Sequence, residues 1–130
     1  MIFVNQNRKD EIIQMLSPCN CKCNSTDYFK NLEKLGESLK KEEEFKQLAT
    51  FAVGIASNER LIILNSLKDR DRCVCELEVI LNKSQPTISH HLRKLERAKL
   101  IKGYKKGNYS YYGLNKENVQ RNIEILQKLL

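Results

Sequence analysis

Five cysteines are the residues of this chain best suited to chemistry, and they fall into two widely separated groups. Cys19, Cys21 and Cys23 occupy alternate positions within SPCNCKCNS, and Cys73 and Cys75 do so within DRCVCELE. Thiolates are soft ligands that select zinc, cadmium, lead, copper(I) or trivalent arsenic over hard cations. An odd number of thiols cannot all pair within one chain. Clustered cysteines in a cytoplasmic chain therefore favour metal binding or redox chemistry over a disulfide scaffold.

The backbone around each group decides whether its thiols can share one ion. In extended chain, Cys19, Cys21 and Cys23 face the same side, because side chains alternate along a strand. Cys73 and Cys75 begin a predicted short helix, where residues two apart point about 200° from each other. These two cysteines can share an ion only if the start of the helix is distorted; otherwise one ligates alone. A site of three or four thiolates drawn from both groups is feasible.

The positive charge of the chain is concentrated near the second cysteine group. Residues 1–82 carry 12 Lys and Arg against 13 Asp and Glu, whereas residues 83–110 carry eight basic residues against Glu96 alone. The net charge of that second segment, 8 − 1 = +7, equals the net charge of the whole chain. One interpretation of these basic residues is an ordinary solvated surface. Such a concentration of positive charge instead favours a binding site for a polyanion, usually nucleic acid.

Two predicted helices of this region form a helix-turn-helix pattern. CVCELEVILN predicts the first helix and KSQPTISHHLRKLERAKLI the second. Ser84 lies where an N-cap belongs, and Pro86 falls in the first turn, where its missing N–H costs little. Ile88, Leu92 and Leu95 follow at the spacing of a buried stripe, and the opposite face is polar and basic. A short helix, a tight turn and a polar-faced second helix are typical of DNA-binding proteins.

The remaining segments predict a mainly α fold with a small β-hairpin wing. LIKGYKKGNYSYYGLN is typical of a hairpin with a basic tip, and KENVQRNIEILQKLL predicts a terminal helix whose apolar face packs in the core or in a dimer seam. We expect residues 1–44 to form an extension with the first cysteine group and a helix. We expect residues 45–130 to form a winged helix-turn-helix domain for DNA binding and dimerisation.

Neither a membrane span nor a secretory signal is expected. The longest apolar runs, FAVGIA and LIIL, are far shorter than the roughly 20 residues that span a bilayer. The N-terminus MIFVNQNRKDEI lacks a basic stretch followed by a long apolar run. We therefore expect a cytoplasmic protein with no membrane partner.

The stretch CVCELEVILNKSQPTISHHLRKLERAKLIKGYKKGNYSYYGLN resembles the ArsR/SmtB family of metal-responsive repressors. The likeness extends back through ASNERLIILNSL and forward through the last helix, over roughly residues 45–130, and SQPTISHHLRKLERAKLI is its most specific part. The resemblance implies a homodimeric winged helix-turn-helix protein. It also implies that the free protein binds a palindromic double-stranded operator and that the inducer-bound protein leaves it.

The polar face of the second helix and the hairpin tip supply candidate DNA contacts. Hydrogen-bonding side chains suit the major groove, and lysines suit phosphates. We predict contacts to base edges or nearby phosphates from Gln85, Thr87, Ser89, His90 and Arg93, and contacts to the DNA backbone from Lys94, Lys105, Lys106 and Tyr109. Because adjacent helical residues point about 100° apart, His90 and His91 are poor co-ligands. We expect His90 at the DNA and His91 in packing.

The resemblance also assigns a role to the cysteines. In that family, Cys-Val-Cys before the recognition helix is a sensing position, and Cys73 and Cys75 match it. The arsenite-sensing branch has a third cysteine five residues after the first, where this chain has Glu78. The cadmium- and lead-sensing branch adds cysteines from an N-terminal extension, which this chain also has. The implied inducer is Zn, Cd, Pb or As(III), and the implied metal ligands are Cys19, Cys21, Cys23, Cys73 and Cys75.

Other roles for the cysteines stay open at this stage. They suit a structural zinc that never exchanges, or a redox switch based on thiol–disulfide exchange. The family's other common site uses His and carboxylates on the terminal helix. Residues 115–130 contain no His and no Asp, so we expect that site to be absent. With no phosphate-binding loop and no base beside the cysteines, we do not expect an enzyme.

Overall fold

The computed structural model describes residues 5–16 and 25–130, and Cys19, Cys21 and Cys23 lie outside these ranges. The chain divides into two compact units, Met1–Glu42 and Glu43–Leu130. In the described part of the first unit, α1 (Gln6–Leu16) and α2 (Ser25–Lys40) are joined by an ion pair from Lys9 Nζ to Glu33 Oε2 at 3.5 Å. No described residue of either helix is buried, so this unit has no core of its own in that part.

The second unit is mainly helical and holds one small sheet. Its helices and strands are α3 (Glu43–Ile55), α4 (Asn58–Ser66), β1 (Arg72–Cys73), α5 (Val74–Leu81), α6 (Gln85–Arg97), β2 (Ile101–Lys106), β3 (Tyr109–Leu114) and α7 (Lys116–Leu129). The predicted fold class, mainly α with a hairpin wing in a winged helix-turn-helix arrangement, is confirmed. Within the described ranges, no helix has the length and apolar character that crossing a bilayer requires.

The core of the second unit is built mainly from α4, α5 and α6. Its most deeply buried apolar side chains are Ile63, Leu67, Leu77, Ile88, Leu92, Leu95 and Leu100. The predicted stripe of α6 is part of this core, because Ile88, Leu92 and Leu95 are each at most 1% exposed. The orientation of α6 is thus fixed by hydrophobic burial, which leaves its polar side outward.

Local signals set the ends of the helix-turn-helix. Ser84 occupies the N-cap of α6 and Pro86 lies in its first turn, as predicted. Between the two helices, Asn82 adopts a left-handed conformation at φ 50°, which asparagine tolerates better than most residues. The Lys83 N–H donates to the Glu78 carbonyl at 3.2 Å, which closes the end of α5. The turn therefore needs only the three residues 82–84.

The sheet has three antiparallel strands in the order β1-β3-β2. Strands β2 and β3 form the predicted hairpin, here called the wing, with a two-residue turn in which Gly107 has φ 63°. A positive φ at the first turn residue matches the hairpin turns that suit twisted strands. Strand β1, which the sequence did not predict, pairs Arg72 with Tyr112 and Cys73 with Tyr111.

Candidate DNA-binding surface and cysteine junction

Six of the predicted DNA-contact residues, including Lys94, lie on or beside the outward face of α6. Gln85, His90 and Arg93 are exposed, whereas Thr87, Ser89 and Lys94 are half-buried. Partial desolvation and then the positive charge of Lys94 lower the pKa of His90, so its imidazole is neutral near pH 7. A neutral imidazole both donates and accepts hydrogen bonds, as reading base edges requires.

A buried polar cluster on the inner side anchors the same helix. Arg60, only 6% exposed, donates from Nε to the Gly54 carbonyl at 2.7 Å and from Nη2 to the Val53 carbonyl at 3.0 Å. Its Nη1 lies 3.2 Å from Nδ1 of His91, and His91 Nε2 is hydrogen-bonded to the Glu59 carboxylate. One guanidinium therefore ties the end of α3 and the start of α4 to α6.

The contacts of Arg60 also define the tautomer of His91. A guanidinium has only donors, so Nδ1 must be the acceptor and the proton of neutral His91 must sit on Nε2, facing Glu59. The hydrogen bond from His91 is the main cause that lowers the pKa of Glu59 despite some desolvation, and the nearby Lys83 cation acts in the same direction. The predicted placement of His91 in packing is confirmed, whereas the roles of Arg60 and Glu59 were not predicted from the sequence.

The wing presents its basic tip next to this surface. Lys105 and Lys106 lie at the end of β2 and Tyr109 begins β3, and all three are exposed. Lys106 Nζ sits 5.5 Å from the ring centroid of Tyr111, a cation–π distance. The Tyr104 hydroxyl donates to Asp71 Oδ2 at 2.6 Å, which ties the wing to the segment leading into β1.

The close approach of Asp71 also explains a glycine in the wing. A Cβ at position 113 would lie 2.5 Å from Asp71 Oδ1, so any larger residue there would have to displace the Asp71 carboxylate that accepts from Tyr104. The hydrogen bond to Asp71 raises the pKa of Tyr104, which therefore remains a donor at neutral pH. The wing is thus held at its base by the chain just before the second cysteine group.

We call residues 72–76, which comprise β1 and the first turn of α5, the cysteine junction. Cys73 is the N-cap of α5 with extended backbone (φ −78°, ψ 161°), and Cys75 lies inside the helix. The expectation that both cysteines belong to the helix, pointing about 200° apart, is wrong, because the helix begins at Val74. The two residues are joined by a disulfide, with a Cα–Cα distance of 5.4 Å. Their sulfurs therefore meet without distortion of the helix.

Two charged side chains brace the cysteine junction. Arg72 donates from Nε to the Ser66 carbonyl at 2.8 Å and from Nη1 to Glu76 Oε2 at 3.1 Å. Glu76 Oε1 accepts the Cys73 N–H at 3.1 Å, and that backbone hydrogen bond is the main reason why the pKa of Glu76 is lowered. The junction is therefore linked to the end of α4 as well as to the wing.

A surface cavity of about 260 Å³ joins the cysteine junction to the predicted DNA contacts. Its lining includes both cysteines, Gln85 at the start of α6, and Lys105 and Tyr109 of the wing. Three predicted DNA-contact residues thus share one cavity with the cysteine pair. The sequence alone did not predict this proximity, since it depends on the pairing of β1 with β3.

The predicted metal ligands divide into two sets. Cys73 and Cys75 are brought together as a disulfide, and reduction of that bond gives two adjacent thiolates, which suit a thiophilic ion or metalloid. The other three, Cys19, Cys21 and Cys23, lie outside the described residues. Across residues 5–16 and 25–130, no group of three or more His, Cys, Asp or Glu side chains is arranged to hold a metal ion.

Helices α3 and α7 leave an apolar groove of about 330 Å³ on another side of the second unit. Phe45, Ala49 and Ala52 of α3 line it together with Leu126 and Leu130. On α7, the buried positions are Asn122 and Ile125, whereas the apolar side chains of Ile123, Leu126 and Leu130 are exposed. The apolar face of the terminal helix is therefore only partly used within one chain.

Comparisons with known proteins agree with this architecture. Residues 57–102 match a family model described as bacterial regulatory protein, arsR family. An uncharacterized HTH-type transcriptional regulator of Methanocaldococcus jannaschii is 33% identical over 88 residues, which cover 67% of this chain and 99% of that protein. An arsenical resistance operon repressor of Bacillus subtilis is 40% identical over 89 residues, covering 67% and 78% of the two chains.

A cadmium resistance regulatory protein CadC homolog of Staphylococcus aureus is 40% identical over 52 residues, covering 40% of this chain and 43% of that protein. Among solved structures, HlyU of Vibrio cholerae is 32% identical with a TM-score of 0.58, covering 68% of this chain and 96% of that one. A homodimeric winged helix-turn-helix DNA-binding domain from Mycobacterium bovis is 26% identical with a TM-score of 0.56, covering 65% and 79%.

Proposed function

Because the chain belongs to the ArsR family of bacterial regulatory proteins, we propose that it is a cytoplasmic repressor released from its operator by a thiophilic metal ion or metalloid. The family consists of DNA-binding transcriptional regulators, so the expectation that the chain is not an enzyme is confirmed. The inducer is proposed to be Zn, Cd, Pb or As(III) bound to cysteine thiolates. Relatives named for arsenical and cadmium resistance support this class of inducer.

The DNA-binding half of the proposal rests on the outward face of α6 and on the wing. Exposed Gln85 and Arg93 lie on a helix whose inner face is fully occupied by core contacts, so they are available for a major groove. Lys105 and Lys106 at the wing tip are available for phosphates. The partner in this proposal is double-stranded operator DNA.

The proposed active form is a homodimer. The apolar groove between α3 and α7 has an exposed apolar rim, and Leu130 is 91% exposed in the single chain. Covering this rim with a second copy removes apolar surface from water. The solved neighbour described as a homodimeric winged helix-turn-helix domain supports the same assembly. A two-fold dimer presents two recognition helices to a palindromic operator.

The single observation that carries the inducer proposal is the position of the cysteine pair. Cys73 is paired with Tyr111 of the wing and caps the helix that leads into α6. An ion held by Cys73 and Cys75 therefore affects the positions of both proposed DNA-contacting elements, α6 and the wing. In this proposal the remaining thiolates come from Cys19, Cys21 or Cys23, since zinc and arsenic sites need at least one more ligand.

Release follows from thermodynamic linkage. If the ion-bound geometry of the cysteine junction disfavours the arrangement of α6 and wing that fits DNA, the ion and the operator weaken each other's binding by the same factor. No direct contact between ion and DNA is required. Coupling of this kind typically changes affinity by about 5- to 150-fold.

A binding titration tests this proposal. The reduced protein is titrated onto a fluorescent duplex selected from random sequences, with and without saturating Cd(II), Zn(II), Pb(II) or As(III), and anisotropy is followed. We expect at least one ion to weaken binding within the range given above, and Cys73→Ser to abolish that effect. Replacing Cys19, Cys21 and Cys23 by Ser shows whether the extension contributes. Unchanged affinity at saturating concentrations of every ion would contradict the proposal.

A redox switch is the second candidate function, and the Cys73–Cys75 disulfide favours it. In this version, oxidation of the pair replaces ion binding as the signal. Titration with a peroxide in the absence of metal separates the two candidates. If operator is released under those conditions and restored by a dithiol, redox sensing is supported. A structural zinc, the third possibility, predicts no response to either signal but loss of folding with a chelator.

A further inference from the structure

We propose that Cys75 is a site for mixed-disulfide formation with an amino-acid disulfide of the cystine class, docked in the cavity beside it. The cavity of about 260 Å³ opens onto Cys75 and is lined by groups that suit such a ligand. This inference names a chemical signal for the redox form of the proposed function and rests on it. Its chemistry can be measured without DNA.

The two cysteines are unequally accessible. Cys75 is exposed, whereas Cys73 is only 5% exposed and pairs with Tyr111 in the sheet. Thiol–disulfide exchange requires the attacking sulfur to reach a disulfide in solution. Cys75 is therefore the thiol that meets the small molecule, and Cys73 is the thiol that resolves the product.

The charged groups of the cavity select the class of ligand. Lys105 and Glu78 both line it, one from the wing and one from α5. Across the described residues, neither side chain forms an ion pair, with the other or with any third residue. A ligand with one carboxylate and one ammonium group complements both of them. An amino-acid disulfide carries this pair of charges next to its reactive sulfur.

Polar groups complete the pocket. Asn108 and Ser110 of the wing offer an amide and a hydroxyl in the same lining. On the opposite side, Gln85 begins the recognition helix. A small molecule bound here occupies space between Gln85 and Tyr109, both predicted to contact DNA, so the mixed disulfide opposes operator binding by occlusion until Cys73 resolves it.

The thiol–disulfide exchange between the cysteine pair and cystine proceeds in two steps. The Cys75 thiolate attacks one sulfur of cystine, a protein–ligand S–S bond forms, the S–S bond of cystine breaks, and a cysteine thiolate leaves and takes a proton from water. The Cys73 thiol then loses its proton to water and attacks Cys75 Sγ, the mixed-disulfide bond breaks, and the second cysteine leaves as a thiolate that takes a proton from water. The protein dithiol is oxidised by two electrons and one cystine is reduced to two cysteines. The product is the Cys73–Cys75 disulfide that the structure contains.

The first step is measured by trapping the adduct. In the full chain with Cys19, Cys21, Cys23 and Cys73 replaced by Ser, no resolving thiol remains, so each adduct at Cys75 accumulates and is counted by intact mass. The probes are cystine, cystamine, which lacks the carboxylate, and 3,3′-dithiodipropionate, which lacks the ammonium group. Bis(2-hydroxyethyl) disulfide serves as the uncharged reference.

Each charge has its own variant and its own expected pattern. Lys105→Gln is expected to slow the reactions of cystine and dithiodipropionate by on the order of threefold to fivefold, the effect of one nearby unit charge in water. The reaction of cystamine should not slow. Glu78→Gln is expected to slow cystine and cystamine but not dithiodipropionate. Lys102→Gln removes an equal charge from β2 outside the cavity lining and should change none of the ratios to the uncharged probe.

Equal rate changes for Lys105→Gln and Lys102→Gln would overturn the proposal, as would a cystine rate unaffected by either cavity variant. If the Cys73→Ser protein does not fold, the rate at which cystine oxidises the reduced pair is measured in a chain retaining Cys73 and Cys75, with the same three charge variants. Failure of the DNA titration with normal adduct kinetics refutes only the regulatory function. Normal regulation with no charge dependence refutes only this site.

Discussion

The recognition helix and the cysteine junction lie next to each other, yet they are held in different ways. Helix α6 buries Ile88, Leu92 and Leu95 in the core and is tied through His91 to Arg60 and Glu59. The junction consists of a two-residue strand, one helical turn and a few polar contacts with Arg72 and Glu76. A chemical change that moves the backbone of the junction therefore disrupts fewer stabilising contacts than one that moves α6.

This contrast fits the different roles proposed for the two regions, DNA binding by α6 and response to an inducer by the cysteine junction. In the proposed function, α6 must keep one geometry, since base contacts depend on side-chain position. In the same proposal, the cysteine junction must have two states that differ in free energy by only a few kcal/mol, because an inducer shifts an equilibrium only by its differential affinity. The five predictions below test the contrast, from the largest expected effect to the smallest.

Truncating the core face of α6 should have the largest effect on stability. Leu92 is 1% exposed, so Leu92→Ala is expected to lower the free energy of unfolding by about 2–5 kcal/mol through lost burial and a residual cavity. Urea denaturation followed by circular dichroism measures this. Val79→Ala, at a position 81% exposed, is the matched control and should cost less than about 0.5 kcal/mol. Equal losses in both variants would contradict the assigned core.

Removing the polar anchor of α6 should cost somewhat less. His91→Leu leaves one N–H of Arg60 and the Oε2 atom of Glu59 without their hydrogen-bond partner, so we expect a loss of about 1–3 kcal/mol in the same assay. The neighbouring His90→Leu, which breaks no hydrogen bond in the described chain, serves as the control and should be nearly neutral for stability. The anchoring role of His91 is refuted if the two variants cannot be distinguished.

On the outward face, affinity should change while stability does not. Arg93→Ala is expected to weaken operator binding by about 1–3 kcal/mol if the side chain reads a base, with relaxed specificity at one position. Anisotropy titrations on the selected duplex and on single-base variants measure both effects. Arg121→Ala on α7 removes the same side chain from outside the predicted DNA surface and should not affect binding.

At the wing tip, the expected signature is a dependence on salt. If Lys105 contacts a phosphate, Lys105→Gln should reduce the slope of log affinity against log salt by about 0.9. The loss of affinity should be similar for all duplex sequences. Lys46→Gln removes the same positive charge from α3, away from the predicted DNA-binding surface. The salt slope of this control variant should equal that of the unmodified protein.

The smallest effect is expected at the brace of the cysteine junction. The folded-state pKa of Glu76 is lowered, so its contribution to stability is present above the unfolded-state pKa and is lost as pH falls through the folded-state pKa. The stability difference between the unmodified protein and Glu76→Gln should therefore be larger at pH 7 than at pH 3. Thermal unfolding at several pH values tests this, and a gap that widens in acid would contradict it.

The helix-turn-helix was predictable because its signals are local. Ser84, Pro86 and the spacing of Ile88, Leu92 and Leu95 lie within one short segment, and the hairpin likewise depends on residues close in sequence. Such patterns fix helix type and the buried face before any long-range contact forms. The outward residues of α6 follow from the buried ones by elimination, although their roles at DNA stay predictions.

The cysteine junction was less predictable because its geometry depends on distant contacts. A strand of two residues has no periodicity, and β1 exists only because it pairs with β3, about forty residues later in the chain. The helical pattern of CVCELEVILN therefore extended one residue too far and placed Cys73 inside α5. The Arg60 cluster was missed for the same reason, since a buried arginine is recognisable only once the carbonyls and the histidine around it are known.

Reciprocal binding is the most direct test of the central claim that the cysteine pair and the DNA-binding surface are coupled. The affinity of the reduced protein for the most effective ion is measured by competition with a chromophoric chelator, with and without saturating operator duplex. Linkage predicts that operator weakens ion binding by the same factor by which the ion weakens operator binding. Ion affinity that is identical with and without operator would contradict the account.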